Sequence, residues 1–168
     1  MAVLDILVYP DERLKQVSQP VQVFGDDFRQ FVADLDETRL QAPGCVGIAA
    51  PQVGRFQRVV IVDLSVMRKP HPNHGHMVLA NPEIVEYEGF AKGREGCLSV
   101  PDYTGNVMRP DKITLEACDQ HGELQRFEFE GFEARAVLHE IDHLDGLLFL
   151  DRLVSRRTDL FRRKVYRK

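Results

Sequence analysis

The residues of this sequence that can do chemistry are concentrated in one short motif, His139-Glu140-Ile141-Asp142-His143. Side chains four residues apart in a helix lie one turn above each other, so both imidazoles can reach one ion while Glu140 projects beside it. Apolar residues surround the motif, which predicts a largely buried helix whose polar groups need partners. We therefore interpret His139 and His143 as metal ligands rather than as two histidines that a surface helix carries by chance.

A third ligand has to come from elsewhere in the chain. A catalytic site usually has three protein ligands and one position open to water, and two histidines leave a divalent ion under-coordinated. No histidine or cysteine follows His143, so the candidate lies upstream at Cys97, within Glu95-Gly96-Cys97-Leu98-Ser99. A lone cysteine is more often a buried inert thiol. Beside a two-histidine helix, however, Cys97 becomes the favoured third ligand.

A third segment, from Gly44 to Gly54, combines small residues with one amide, that of Gln52. The segment lacks the lysine-serine or lysine-threonine ending of a phosphate-binding loop. Its small side chains would let a substrate backbone lie close, and Gln52 could donate a hydrogen bond to a developing oxyanion. A tightly packed core strand that ends in a turn explains the segment equally well, so both interpretations stay open at this point.

These residues must be positioned by helices and strands, and the order of helix, many short strands and helix predicts an α+β fold. We expect mainly antiparallel short strands packed around a central metal-binding helix. We expect an N-terminal helix that Asp26 caps and that ends near Pro43-Gly44, the metal helix at 132–144 with Gly146 as its terminator, and a short basic C-terminal helix from Ser155. Strands are predicted at 46–50, 58–63, 77–80, 84–87, 98–100, 113–118 and 124–129. The last two should form a hairpin.

Length and composition fit one compact domain spanning residues 1–168, because 168 residues with 43% hydrophobic content can bury a single core. Residues 154–168 of this domain are expected to form a basic helix or tail. A net charge of -4 gives no reason to expect DNA or a membrane as a partner. The first ten residues lack the features of a secretion signal, and no apolar run is long enough to span a bilayer. Three widely spaced cysteines fit a reducing compartment, so we expect a cytoplasmic protein.

The segment from Lys69 to His76 predicts a mobile loop, because proline, asparagine and glycine interrupt it. Its three histidines could trap stray metal, but a solvated loop is the favoured interpretation.

Three motifs in this order resemble those of peptide deformylases: Gly47-Ile48-Ala49-Ala50-Pro51-Gln52, then Glu95-Gly96-Cys97-Leu98-Ser99, then His139-Glu140-Ile141-Asp142-His143. The opening at 9–14 is also similar to the start of that family, so the resemblance extends to about Leu153. Three motifs together are far more specific than one. The resemblance implies a metal-dependent hydrolase that removes the N-terminal formyl group from formyl-methionine of newly synthesised polypeptides.

The resemblance also implies a role for each matching residue. The metal ligands would be Cys97, His139 and His143; Glu140 would be the general base and acid; Gln52 and the Leu98 amide would hold the oxyanion; and Val46, Gly47 and Gly96 would pair with the substrate backbone. The family's ion is iron(II), although a cysteine and two histidines by coordination preference alone favour zinc; zinc, nickel or cobalt can occupy such a site in purified protein. Phe132 and Ala136 are our choices for the methionine pocket, which lies outside the motifs.

One residue departs from the family pattern, because the first motif usually opens with a glycine where this chain has Cys45. If that backbone position needs a positive φ, cysteine would strain it by about 1 kcal/mol or more; if φ is negative, Cys45 lines the pocket entrance. We also expect Glu95 to be held by an arginine, with Arg109 the first choice, in an exposed pair worth little.

Two other functions remain open. One is a metallopeptidase that cuts internal peptide bonds, since it shares the two-histidine helix. The other is a noncatalytic protein with a structural metal that binds nascent chains or ribosomes through its basic C-terminal tail. That tail contains Arg156, Arg157, Arg162, Arg163, Lys164, Arg167 and Lys168. A solvated helix face is the favoured interpretation of these charges, and contact with ribosomal RNA is the alternative.

Overall fold

Two α-helices and six β-strands form the structure, a computed structural model that describes residues 2–163. In chain order they are α1 (Asp26–Leu40), β1 (Gly47–Ala49), β2 (Val59–Val62), β3 (Met77–Cys97), β4 (Val100–Cys118), β5 (Leu124–Glu130), α2 (Gly131–Leu144) and β6 (Leu160–Arg162). The strands form one sheet in the order β1-β2-β3-β4-β5, and β6 pairs with β4. All strand pairs are antiparallel. The predicted α+β class is confirmed, whereas a single domain over 1–168 stays a prediction.

Strand β2 is buried on both faces, which explains its uninterrupted apolar sequence. Val60 and Val62 belong to the hydrophobic cluster that includes α2, while Val59 and Ile61 belong to the cluster that includes α1. Because successive side chains of a strand point to opposite faces, each helix covers one side of the sheet here. The motif at 139–143 is therefore carried on a helix that is fixed against the sheet.

Helix α2 is almost wholly buried, with all side chains from Glu133 to Leu144 inaccessible or nearly so. Its apolar residues Ala134, Val137, Ile141 and Leu144 recur at three- and four-residue steps and pack against the sheet. The chain leaves the helix at Gly146, whose φ of 75° is favoured by glycine. The predicted helix over 132–144 and its terminator are confirmed.

Strands β3 and β4 form a long hairpin that merges several predicted strands. The gap predicted between the strands at 77–80 and 84–87 does not end a strand, because the irregular pairing at that point is a bulge within β3. The Asn81 side chain instead bonds the backbone N–H and C=O of Val21, at 2.7 and 3.0 Å. Leu98 and Ser99, which we predicted to start a strand, form the turn between β3 and β4.

The boundaries of α1 differ from the prediction. Gly25 is the N-cap residue, Asp26 makes no capping bond, and the helix ends at Leu40, before Pro43-Gly44. The predicted C-terminal helix is wrong for residues 155–163, where a turn leads into β6, while 164–168 lie outside the described residues. Strand β6 pairs along Tyr103–Gly105 of β4, so backbone pairing at an open strand edge prevailed over local helical preference. No helix within 2–163 has the length and apolar character to cross a membrane.

Candidate active site

Cys97, His139 and His143 come together where the end of β3 meets α2. Their ligand atoms lie within 4.8 Å of one another, and all three residues are buried. The Cys97 Sγ and the His143 Nε2 are 3.3 Å apart, close to the separation of about 3.5 Å expected for sulfur and nitrogen ligands of one tetrahedral ion. Within residues 2–163 this is the only such cluster. Its donor set and spacing fit a transition-metal ion.

Glu95 orients one of these histidines. Its Oε1 lies 2.8 Å from the Nδ1 of His139, which leaves the Nε2 of that ring available to an ion. Arg109 donates to both Glu95 oxygens, at 2.6 and 2.8 Å. Burial acts to raise the pKa of Glu95, but the hydrogen bonds from Arg109 and His139 outweigh it and hold that pKa well below its usual range. The predicted pair with Arg109 is confirmed, but it is buried rather than exposed.

Glu140 lies beside the cluster with an unsatisfied carboxylate oxygen. Among the residues described, its Oε1 is buried without a hydrogen-bond partner, 4.0 Å from the Nε2 of His143. Burial raises the pKa of the Glu140 carboxyl to about 7, which suits a group that takes up and returns a proton near neutral pH. The Glu140 Oε2 lies against β1, since a Cβ added to Gly47 would be 2.6 Å from that oxygen. Glycine at position 47 therefore leaves the space that Glu140 occupies.

Gln52 is fixed with its amide nitrogen toward the cluster. Its Oε1 accepts a hydrogen bond from the Ala49 N–H at 2.9 Å, which sets the direction of the amide. The Nε2 then donates to the Ser99 Oγ at 3.1 Å and to the Cys97 Sγ at 3.4 Å. Gln52 is 1% exposed, so this donor is held in place before any substrate arrives.

A cavity of about 310 Å³ opens onto the cluster. Its walls include the residues that the resemblance assigned to substrate or oxyanion, namely Val46, Gly47, Gln52, Gly96 and Leu98, together with Phe132 and Ala136. Cys97, His139 and Glu140 also line it, whereas His143 does not. The structure thus brings all the predicted site residues to one place, although their roles stay predictions.

The profile of the polypeptide deformylase family matches residues 3–159. The chain belongs to this family. A peptide deformylase from Alkalilimnicola ehrlichii is 47% identical over 165 residues, covering 98% of this chain and 90% of the relative. The crystal structure of a peptide deformylase from Legionella pneumophila superposes with a TM-score of 0.83 at 39% identity, covering 90% of this chain and 86% of that one. A class I type b peptide deformylase from Acinetobacter baumannii with Met-Ala-Ser bound has a TM-score of 0.83 at 36% identity, covering 90% and 99%.

Family membership makes this chain a hydrolase of protein biosynthesis that removes formyl groups from new polypeptides. The deformylase family is metal-dependent, and the Cys97–His139–His143 cluster supplies a matching site.

Two charged residues of this deformylase site were missed in the sequence. Arg135 donates to Glu95 Oε2 at 2.8 Å, so that carboxylate is held by two guanidinium groups. Asp142 accepts from Arg109 at 2.8 Å and from Arg152 at 2.6 Å. A signal was available, because charged residues on a helix with apolar neighbours on all sides are buried and must be paired. Their partners, however, are distant in sequence and could not be inferred from spacing.

Cys45 takes the place of the family's glycine without backbone strain. Asn81 is the only non-glycine residue within 2–163 that has a positive φ, so Cys45 lines the cavity entrance, the second of the two expected outcomes. Arg39, which is 2% exposed, donates to the Cys45 carbonyl at 2.9 Å and thereby fixes the entry to β1. Burial, and then the nearby Glu140, raise the pKa of the Cys45 thiol to about 11, so the group is a protonated thiol at neutral pH.

The three histidines of the loop at 69–76 do not belong to any potential metal-binding group among the described residues. The His74 Nδ1 lies 2.6 Å from Glu133 Oε1 on α2, and the His76 Nε2 lies 3.1 Å from Asp36 Oδ2 on α1. Irregular structure over the loop is confirmed. These contacts attach the loop to both helices, and its mobility stays a prediction.

Proposed function

We propose that this chain removes the N-terminal formyl group from the formyl-methionine of new polypeptides by attack of an activated water on the formyl carbon. The observation that carries this proposal is the position of the Glu140 carboxylate, in the wall of the same cavity as Cys97 and His139. Residues that could hold an ion, a candidate base and space for a peptide are thereby found together.

Cys97, His139 and His143 would hold the ion. When bound, the ion supplies a Lewis acid that lowers the pKa of water toward roughly 7. The family resemblance supports iron(II) as the ion used in the cell, while the preference of one thiolate and two imidazoles supports zinc as a replacement in purified protein.

Glu140 would act as the base and then as the acid. Its carboxylate takes a proton from the attacking water, and the same carboxyl group later gives that proton to the amine that leaves. The pKa of about 7 supports both steps near neutral pH. The buried Oε1, which lacks a partner among the described residues, is the oxygen left to face water.

Gln52 and the backbone N–H of Leu98 would stabilise the negative charge that develops on the formyl oxygen. Ala49 and Ser99 already orient the Gln52 amide, and the N–H that now points to the Cys97 Sγ, at 3.4 Å, would donate to the oxyanion. Leu98 lies in the turn directly after Cys97, so its N–H is carried on the loop that supplies the sulfur ligand.

The peptide would bind as an added strand. Strand β1 is at the end of the sheet order, so one of its edges is unpaired, and Val46 and Gly47 line the cavity at that edge. The Val46 carbonyl accepts from the Asp63 N–H at 2.7 Å, while the Val46 N–H makes no backbone hydrogen bond among the described residues and could pair with the peptide. Gly96 would pair from the opposite wall, and Phe132 with Ala136 would contact the methionine side chain. The Met-Ala-Ser bound to the Acinetobacter relative supports a methionyl peptide as occupant.

The deciding experiment is an assay of anaerobically purified protein, with its metal content measured, on formyl-Met-Ala-Ser and on casein. We expect formate release from the formyl peptide, loss of that activity on chelation, and no cleavage of casein. Cleavage of casein without formate release would instead favour the metallopeptidase. A structural metal usually has a fourth protein ligand, and Cys45 is not a member of the cluster, which counts against the noncatalytic alternative.

Replacing Gln52 with alanine should lower kcat for deformylation about 100-fold, because one oriented oxyanion donor is lost. The binding of the ion should be retained, since Gln52 is not a proposed ligand. Steady-state kinetics and metal content measure the two effects. Gln125→Ala, an exposed glutamine on β5, is the matched control and should keep full activity. A Gln52→Ala enzyme as active as that control would remove Gln52 from the mechanism.

The same substrate supports a cytoplasmic site of action, where formylated polypeptides leave the ribosome. Contact of the basic tail with the ribosome stays a proposal, and Lys164, Arg167 and Lys168 of that tail lie outside the described residues.

A further inference from the structure

Two arginines stand at the mouth of the cavity and take no part in the proposed chemistry. Arg94 and Arg163 line the same cavity as Cys97 and Glu140, and both are exposed. Neither guanidinium forms a salt bridge with any residue within 2–163. Among the described residues the Arg163 Nη2 donates only to the Cys97 and Val100 carbonyls, at 3.5 and 3.4 Å, so neither guanidinium charge is neutralised by a carboxylate and both can attract an anion from solution.

Strand β3 sets the position of Arg94. Burial alternates along its last residues, so Glu95 and Cys97 face the interior while Arg94 and Gly96 face outward on the same side. Two residues of a strand span about 7 Å. Arg94 thus lies one strand repeat beyond Gly96, on the side away from Cys97, so a peptide that pairs with Gly96 as proposed and continues along β3 would pass it.

Strand β6 brings Arg163 to the same wall. Its backbone N–H donates to the Asp102 carbonyl at 2.8 Å, which continues the pairing of β6 with β4. A Cβ added to Gly96 would lie 2.8 Å from the Arg163 Nη2, so the guanidinium reaches over the glycine at the cavity wall. On the same strand, the Phe161 ring lies 3.7 Å from the Arg94 guanidinium carbon and holds that side chain by a cation–π contact.

The balance of charge at this opening is positive, although the chain as a whole carries -4. The carboxylates that line the cavity are Glu95 and Glu140, and both are buried. Arg109 and Arg135 already neutralise Glu95, and Glu140 lies at the metal cluster. The opposite wall at 42–44 is uncharged. Among the residues that line the cavity, none is an exposed carboxylate that would compete with a negative group of the peptide for Arg94 and Arg163.

We infer that Arg94 and Arg163 form a cationic subsite that binds an acidic side chain of the substrate, two or three residues after its methionine. This inference rests on the proposed deformylation and adds a substrate class to it: peptides whose third or fourth residue is aspartate or glutamate. Exposed ion pairs are weak individually, but two guanidinium groups at one opening also attract the peptide before contact. The preference for acidic peptides is expressed as a higher kcat/KM, and it decreases as salt screens the charges.

The test uses the metal-loaded enzyme and three formylated peptides that differ at one position: formyl-Met-Ala-Glu-Ala, formyl-Met-Ala-Ala-Ala and formyl-Met-Ala-Lys-Ala. A second set moves the variable residue to the fourth position. We expect kcat/KM for glutamate to exceed that for lysine by about threefold to tenfold at low ionic strength in one of the two sets, and the ratio to approach one in about 0.5 M salt.

Variants assign the preference to these side chains. The double variant Arg94→Gln with Arg163→Gln should bring the glutamate-to-lysine ratio close to one, and Arg94→Glu should reverse it in favour of lysine. Arg162→Gln is the matched control, because Arg162 is an exposed residue of β6 that does not line the cavity, and it should keep the wild-type ratio.

Equal rates on the glutamate and lysine peptides in both sets would overturn the subsite and leave the proposed deformylation intact. A preference that survives in the double variant would also overturn it, by assigning the effect to other groups. Release of formate from none of the peptides would instead reject the proposed function, and the subsite with it.

Discussion

Replacing Glu140 with alanine should abolish most deformylation while the ion stays bound. General acid–base catalysis by a positioned carboxylate contributes about 100-fold to 10,000-fold, so we expect kcat to decrease by about 1,000-fold. Metal content should remain near one ion per chain, because Cys97, His139 and His143 are unchanged. Stopped assays for formate, together with metal analysis of the same preparation, measure both quantities.

A second substitution separates the proton transfer from the shape of the site. Glu140→Gln retains the size of the side chain beside Gly47 but removes the basic carboxylate, so its kcat should be as low as that of the alanine variant. Glu128→Ala is the control, since Glu128 is exposed on β5. An active Glu140→Gln enzyme would show that the residue fills space and does not move the proton.

Replacing Arg109 with alanine should cause the largest loss of stability. The guanidinium is 3% exposed and bonds both Glu95, at 2.6 and 2.8 Å, and Asp142, at 2.8 Å. Its removal leaves two buried carboxylates with one partner fewer each. Breaking a buried ion pair in this way costs about 3 to 5 kcal/mol, which corresponds to a decrease in Tm of roughly 10 °C for a chain of this size.

The same substitution should weaken metal binding, although Arg109 contacts no ligand directly. Glu95, which lies 2.8 Å from the Nδ1 of His139, would lose its two bonds from Arg109 and keep only the one from Arg135. Loss of such supporting contacts typically lowers metal affinity about 10-fold to 100-fold. Because folding lowers the pKa of Glu95, its contribution is present in full above the ordinary carboxyl pKa of 4.5 and declines as the pH falls. Thermal unfolding and competition with a chelator at pH 7 therefore measure the whole effect.

Arg126→Ala provides the matched comparison. Arg126 also pairs with a glutamate on the sheet, at 3.2 Å from Glu116, but its side chain is 60% exposed. We expect a change in stability of about 1 kcal/mol or less. If Arg109→Ala behaved like Arg126→Ala in both measurements, the buried network would have no part in holding the metal site.

Local patterns predicted a helix or strand correctly where the spacing of its apolar residues matches the faces that are buried in the fold. The helix that carries His139 and His143 was predictable because its apolar residues follow the helical repeat and Gly146 ends it. The apolar run of β2 was predictable as a buried strand, since both of its faces are covered. The turn at Leu98-Ser99 was mistaken for a strand, because a residue in a tight turn between long strands carries no distinct local signal.

The sequence by itself determined the family, the helix that carries His139 and His143, and the proposed ligand set, because these depend on residue identity at short spacing. Only the tertiary structure decided that Arg109 is buried between Glu95 and Asp142, and that β6 takes Arg163 to the cavity. The physical reason is that a strand edge or a buried charge is satisfied by whatever the fold brings within about 3 Å, and the partners of Arg109 are 14 and 33 residues away in the chain.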